Sequence, residues 1–369
     1  MKKIALVHDF LQYWGGAETT LDVVGNIFPD APIFTLLQDE NLTKKHFQDK
    51  DIQVSFLQKA PNFLKKRHKY LFPLMPTAVE TFNLRDFDVV ISSSSAFAKG
   101  IIVKPKTTHI CYMHAPMRYV WDWHHEYMQE QRLGNKVRLL TRFFLNYLRM
   151  WDRASSERVD YFVANSKYTS LRIKKYYRRN SKVIYPPVKV DNFVAQKENG
   201  GFFLAVGRLS AYKRIKLIVE VFNKLKLPLV VVGDGQLREE LEKMTERNKN
   251  IKILGWLPAD KLRKLYSHAR AFVCACEDDF NITVVEAMAS GKPVVALRRG
   301  GVMETVQEHV TGEFFDAPQV EIVADGIRRF IENENSYDYE KIRARAEEFS
   351  EERFKKEFKE YVEEVTNEE

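Results

Sequence analysis

Residues 277–296 read EDDFNITVVEAMASGKPVVA, three acids, then an uncharged run, then a lone carboxylate opening a segment of small and apolar residues with helical character. That carboxylate, Glu286, stands eight residues past Asp278 and nine past Glu277. Further upstream, Arg208 and Lys213 flank a short loop in VGRLSAYKRIKLIVEVF, between an apolar strand and a helix. Two cations beside a helix start can hold a diphosphate, because free helix N–H groups add to their charge; a solvated basic loop has the same spacing. Gly15 and Gly16, in QYWGGAETTLDVV, allow close backbone approach at another helix start, either as an anion site or as an ordinary strand-to-helix turn. His114 follows the apolar run THICYM and precedes a proline. Trp121, Trp123 and Trp151, with Arg118, His124 and His125 among them, suit an acceptor groove or a packed loop.

These residues need strands to aim them. In the first half KIALVH, PIFT, DVVISS, HICYM and YFVAN read as strands; in the second FFLAVG, LPLVVVG, IKILG, AFVCAC and PVVAL do. Most are apolar without alternation, as expected of parallel strands covered on both faces, and they alternate with helix-length segments, so the fold class is α/β. Ligands of such sheets sit outside the carboxyl ends of the strands, which is where the candidates above fall. VIYPPVKVDNFVAQKENGG, residues 183–201, has the prolines and glycines of a linker. The Asp86-x-Asp88 pair precedes its strand, at the amino end, and is not expected to bind metal.

A chain of 369 residues is too long for one ordinary core, and two domains are expected. His8 and Asp9 cut the first apolar run to four residues, so the N-terminus reads as a strand rather than a signal peptide. No run reaches the roughly 18 apolar residues of a membrane span. Cys274 and Cys276 share one strand face and read as buried reduced thiols, which suits the cytoplasm. Residues 1–195 carry 30 Lys and Arg against 18 Asp and Glu, a net of +12, while the remainder carries 28 against 32, a net of −4. The basic half suits an anionic partner. Lys65, Lys66, Arg67 and Lys69, set among aromatic residues in PNFLKKRHKYLFPLMP, suit an anionic membrane surface or a solvated loop. KVRLLTRFFLNYLRMW, residues 136–151, is a second such candidate whose apolar stripe is expected to be mostly core. A pyridine-nucleotide site would need G-x-G-x-x-G, and Gly233-Asp234-Gly235 lacks the third glycine. No nucleic-acid module is recognisable.

Taken together, WGGAE, HAPMRYVWD, VIYPPV, VGRLSAYKRIKLIVEVFN, VVGDG and DDFNITVVEAMASGKPVVA resemble the family-4 retaining glycosyltransferases of GT-B fold, over nearly the whole chain. MHAPMRYVWD looks like the mannosyltransferases of O-antigen and related polysaccharide assembly. The resemblance implies two Rossmann-like domains with parallel sheets facing across a cleft. These are an acceptor-side domain over residues 1–190 and a nucleotide-sugar domain over 200–349, with a terminal helix over 350–369 crossing back to the first. It implies a nucleoside diphosphate sugar as donor, most simply GDP-mannose, a lipid-linked or polysaccharide acceptor, no metal or other cofactor, and attachment to the inner face of the membrane. Arg208 and Lys213 would stabilise the leaving diphosphate and His114 would contact the donor sugar. Asp278, or Glu277 one place out of register, would meet sugar hydroxyls, and Glu286 would grip the ribose. Gly15, Gly16, Gly207, Asn281, Ile282 and Thr283 would line the donor, and Arg118 the acceptor side. Asn281 stands where the family has glycine, and its side chain is expected to project into the sugar site; Asp278 is one methylene shorter than the family's glutamate. A UDP-sugar transferase, or a catalytically weak protein of this fold that binds a sugar nucleotide or a partner, are the alternatives.

Overall fold

All ten apolar runs form strands. The structure, a computed structural model, describes residues 2–130 and 135–367. Strands Ile4–Leu11 (β1), Ile33–Gln38 (β2), Ile52–Val54 (β3), Val89–Ser94 (β4), Thr108–Met113 (β5), Tyr161–Ala164 (β6) and Lys182–Val183 (β7) pair in parallel in the order β3-β2-β1-β4-β5-β6-β7. Strands Phe203–Val206 (β8), Leu229–Val232 (β9), Ile251–Ile253 (β10), Ala271–Cys274 (β11), Val294–Leu297 (β12) and Gly312–Phe315 (β13) form a second parallel sheet, in the order β10-β9-β8-β11-β12-β13. Three strands, β3, β7 and β13, are not legible as apolar runs. Two are three residues or shorter, and β13 carries Glu313 inside GEFF. β1 runs past the His8–Asp9 pair to Leu11, because both polar side chains find partners inside the fold.

The chain divides into two compact units. One runs to Tyr185 and takes back the chain from Phe354; the other spans Pro186–Arg353. Within each sheet the chain winds outward from a central strand, then returns to start again on that strand's other side. The reversal falls between β1 and β4 in the first sheet and between β8 and β11 in the second. At such a point two successive connections leave in opposite directions and open a crevice at the carboxyl ends.

The terminal helix Glu351–Asn367 owes its place to a stripe of Phe354, Phe358, Val362 and Val365, spaced four, four and three apart. All four are buried with Leu6, Ile33, Ile110 and Tyr112 in the first unit's core. The helix Asn135–Ser155 is anchored by charge as well as by apolar contact. Lys99, fully buried, donates to Asp152 at 2.6 Å and to Ser155 at 2.9 Å, while Trp121 Nε1 and Tyr177 Oη donate to the other Asp152 oxygen. A buried ion pair is tolerated only when its remaining valences are filled in this way. No described helix is long and apolar enough to cross a membrane.

Candidate active site

In the first unit three polar strand ends meet at the reversal between β1 and β4. Asp9, among the last residues of β1 before Leu11, accepts from four backbone N–H groups, Ser95 at 2.6 Å, Ala96 at 2.9 Å, and Phe97 and Ala98 at 2.7 Å, and from the Ser95 hydroxyl at 3.0 Å. The loop leaving β4 is therefore wrapped around one buried carboxylate. His114, the first residue after β5, is fixed at its backbone. Its N–H donates to Ser94 O at 2.8 Å, and its carbonyl accepts from Asn165 Nδ2 at 2.9 Å. Its ring bonds Ser93 Oγ at 2.8 Å through Nε2. Ser93 in turn meets His8 Nδ1 at 3.0 Å, and His8 Nε2 lies 3.4 Å from Glu18 Oε1. Burial pushes the His114 imidazole down to about 3, with His8 adding to the effect, so the ring is neutral. Gly15 and Gly16 lie exposed at the start of the helix Gly16–Ile27, and a Cβ on Gly15 would stand 3.1 Å from the Glu18 carboxylate.

Around them, Trp121 is packed rather than open: its ring stacks on Tyr176 at 4.7 Å and its N–H is spent on Asp152. Arg118 is half-buried on the same loop. Of the basic segment, Arg67 is exposed and Lys65 half-buried, while the side chains of Lys66 and Lys69 lie outside the described residues. Phe63, Tyr70 and Leu74 are exposed there, whereas Leu71 and Phe72 turn into the core. The helix Asn135–Ser155 departs from expectation. Leu145 and Leu148 are buried, but Leu139, Leu140, Phe143, Tyr147 and Met150 are exposed, Phe143 to 69%. The stripe is wider than one core-facing side can absorb, so a second apolar side is left facing outward.

In the second unit the loops after β8 and β11 meet. Lys213 Nζ donates to Asp278 Oδ2 at 2.5 Å. Burial alone would lower the Lys213 ammonium, but Asp278, Cys276 and Tyr212 outweigh it and hold it well above the usual lysine range, so the cation persists. Arg208 sits exposed on the same loop, beside Gly207, whose N–H donates to Val232 O at 3.0 Å. Arg214, with φ of 52°, starts the helix Ile215–Leu225 and donates from Nη1 to Ala275 O at 3.2 Å, tying the two loops together. Glu277 and Asp278 are half-buried.

Asn281 keeps the left-handed turn, with φ of 72°, and opens the helix Ile282–Ala289. Its side chain does not project outward as expected. It is 8% exposed and donates from Nδ2 to Cys274 Sγ at 2.8 Å, while Oδ1 accepts from Thr283 Oγ1 at 2.7 Å. Two buried thiols, 3.4 Å apart, supply the polar company that draws the amide inward. The Asn281 amide is thus held by Cys274 on one side and Thr283 on the other. On that helix Glu286 accepts from Tyr266 Oη at 2.8 Å, and burial raises its carboxyl to about 7.

Several contributors escaped sequence reasoning. Gly300 and Gly301 press on the acidic loop: the Gly301 N–H donates to Asp278 O at 2.8 Å, and a Cβ on either glycine would overlap a carbonyl oxygen of Asp278 or Asp279. Gly233 and Gly235 press likewise on Gly207 and Leu209. His8, Ser93, Glu18 and Tyr266 also went unassigned. The signal available was polarity inside otherwise apolar strands, HD in β1 and SSS in β4.

Comparison with known proteins adds the following. The model described as glycosyl transferases group 1 matches residues 189–349, and that of glycosyltransferase family 4 matches residues 33–192. The chain is 28% identical over 191 residues to the sulfoquinovosyl transferase SQD2 of Arabidopsis thaliana, covering 50% of this chain and 33% of that protein. It is 30% identical over 159 residues to the O-antigen chain mannosyltransferase RfbU of Salmonella typhimurium, covering 40% and 45%. The chain spans a third to a half of the length of the first curated relatives it matches. Among solved structures, HepE of Anabaena in complex with UDP-glucose superposes with a TM-score of 0.73 at 19% identity, covering 99% of this chain and 100% of that one. Sucrose-phosphate synthase of Thermosynechococcus elongatus superposes at 0.75 and 16% identity, with all of both chains covered. At these identities the likeness is one of fold.

Proposed function

This chain belongs to the family-4 glycosyltransferases of GT-B fold, and on that premise we propose that it moves mannose from GDP-mannose onto a lipid-linked or polysaccharide acceptor, with retention at the anomeric carbon. The observation that carries the reading is the Lys213–Asp278 pair at the carboxyl ends of β8 and β11. Breaking the bond from the anomeric carbon to the phosphate oxygen leaves positive charge on the sugar and negative charge on the diphosphate. Lys213 and Arg208 supply fixed counter-charge to the leaving group, so the step needs no metal. When a diphosphate takes Lys213, Asp278 is released toward a sugar hydroxyl. The acceptor oxygen bonds to the anomeric carbon and its proton leaves on the diphosphate. Glu286 takes the ribose hydroxyls, and the first turn of the helix Ile282–Ala289 faces the phosphate. Resemblance to mannosyltransferases, RfbU among them, favours mannose.

The test is nucleotide release from a panel of nucleotide sugars. GDP-mannose is expected to turn over best, and K213A to lose about 10² to 10³-fold in kcat, the usual cost of removing one preorganised charge-stabilising donor. Equal turnover by K213A would sink the reading. A UDP-sugar donor is the second reading, supported by the likeness to HepE, which was solved with UDP-glucose; the same panel separates the two. Donor binding without turnover would instead favour the catalytically weak alternative. Peripheral attachment to an anionic, cytoplasm-facing membrane completes the proposal, supported by the exposed apolar side of the helix Asn135–Ser155 and the arginines along it.

A further inference from the structure

Four polar side chains in the first unit form a line with no role in the reaction as drawn above: Glu18, His8, Ser93 and His114. The links are 3.4 Å from Glu18 Oε1 to His8 Nε2, 3.0 Å from His8 Nδ1 to Ser93 Oγ, and 2.8 Å from Ser93 Oγ to His114 Nε2. His8 is 2% exposed and Ser93 3%. Each comes from a different element: Glu18 from the first turn of the helix Gly16–Ile27, His8 from β1, Ser93 from β4, and His114 from just beyond β5. Such a line could run in either direction, and the chemistry of its ends decides which.

We propose that Glu18, His8 and Ser93 are positioning residues that fix the tautomer of His114, leaving its Nδ1 unprotonated to accept a hydrogen bond from a hydroxyl of a substrate sugar. A neutral imidazole has one N–H and one lone pair, and a hydroxyl has one hydrogen to give. A carboxylate can only accept, so at the Glu18 end of the line the hydrogen must come from His8. The His8 proton therefore lies on Nε2, toward Glu18. His8 Nδ1 is then an acceptor and takes the Ser93 hydroxyl hydrogen. Ser93 has nothing left to donate to His114 and must accept, so the His114 proton lies on Nε2. Nδ1 keeps its lone pair, and no described residue bonds it. The ring cannot turn to exchange its nitrogens without breaking the Ser93 bond, and the backbone on both sides of it is held by Ser94 and Asn165. A fixed acceptor selects a substrate with a hydroxyl at that point over one that lacks it, because an unmet buried polar group is costly.

The inference rests on the transferase reading, and its test keeps the two apart. The full chain, labelled with 15N at histidine, is examined by long-range NMR at pH 8, with H114Q assigning the His114 ring. The expected spectrum has Nε2 protonated and Nδ1 bare. S93A and E18Q, each of which removes the constraint on direction, are expected to give a tautomer mixture at His114, and S93T to restore the single form. With the best donor of the panel, S93A should lose about tenfold in kcat, the size of one hydrogen bond, and S93T should recover it. A His114 ring protonated at Nδ1, or a tautomer unchanged in both S93A and E18Q, overturns the inference. If S93A fails to fold, E18Q alone decides, since an amide in place of the carboxylate keeps the size of the side chain. The spectrum is read on the free protein, so a wild type that turns over no nucleotide sugar would defeat the transferase reading and leave the tautomer result standing.

Discussion

Glu286 shows how far one residue's surroundings can set its chemistry. Burial raises its carboxyl from an ordinary value near 4.5 to about 7, against the pull of the Tyr266 hydroxyl and Arg263. The sign follows from the cause. A carboxyl raised on folding favours the protonated state, so its contribution to stability is present at low pH and is lost as pH rises from about 4.5 to about 7. Binding runs the other way. If the ionised form accepts two ribose hydroxyls, nucleotide affinity should fall as pH drops below about 7, approaching tenfold per pH unit, with proton release on binding near neutrality. Titration calorimetry from pH 5.5 to 8.5 in buffers of different ionisation enthalpy checks this, and E286Q should bind more weakly at high pH and lose the slope. The spacing that singled out Glu286 was visible in the sequence. Its partner Tyr266 was not, because it reaches the site from a different helix, twenty residues earlier in the chain.

At the scale of elements, paired loops matter more than single turns. Gly233, with φ of 144°, lies so close to Gly207 that a Cβ would overlap the Gly207 carbonyl oxygen. G233A combines that clash with a backbone angle L-residues avoid, so it should destabilise the second unit by more than about 2 kcal/mol, read as a lower urea midpoint. LPLVVVG read as a strand in sequence, but only the fold shows which backbone its last glycine touches. The helix Asn135–Ser155 teaches the opposite lesson. The apolar stripe over residues 136–151 was legible, yet its outward apolar side was not, since periodicity cannot say how many faces have partners. Double substitution of Leu140 and Phe143 by serine should weaken co-sedimentation with vesicles containing phosphatidylserine by about tenfold or more, because each side chain buries about 1.5 to 3 kcal/mol of transfer energy. High salt should weaken the wild type as well, through its arginines. Unchanged sedimentation of the double variant would assign that side to another partner.

For the whole molecule, the decisive feature is that the first unit is completed by the last part of the chain. Phe354, Phe358, Val362 and Val365 enter its core beside Leu6 and Tyr112. At about 1.5 to 3 kcal/mol for each buried side chain, they contribute roughly 6 to 12 kcal/mol, comparable with the entire stability of a typical domain. Ending the chain at Arg353 should therefore unfold or aggregate the first unit while the second, which has its own core, stays folded. Limited proteolysis with mass spectrometry would show a protected fragment near residues 186–353. Loss of both units together, or survival of both, would contradict this account.

The sequence by itself determined the α/β class, ten of the thirteen strands among the described residues, the places of Arg208, Lys213, Asp278 and His114 after strands, and that of Glu286 on a helix, because parallel strands and helix starts leave local patterns of apolar residues, glycine and charge. Only the tertiary structure decided that Lys213 and Asp278 pair, that Asn281 turns toward two thiols, and that Glu18, His8 and Ser93 stand in line behind His114. Those contacts join residues from 7 to 85 positions apart. A hydrogen bond depends on distance and direction in space, and neither is written in the local sequence of either partner.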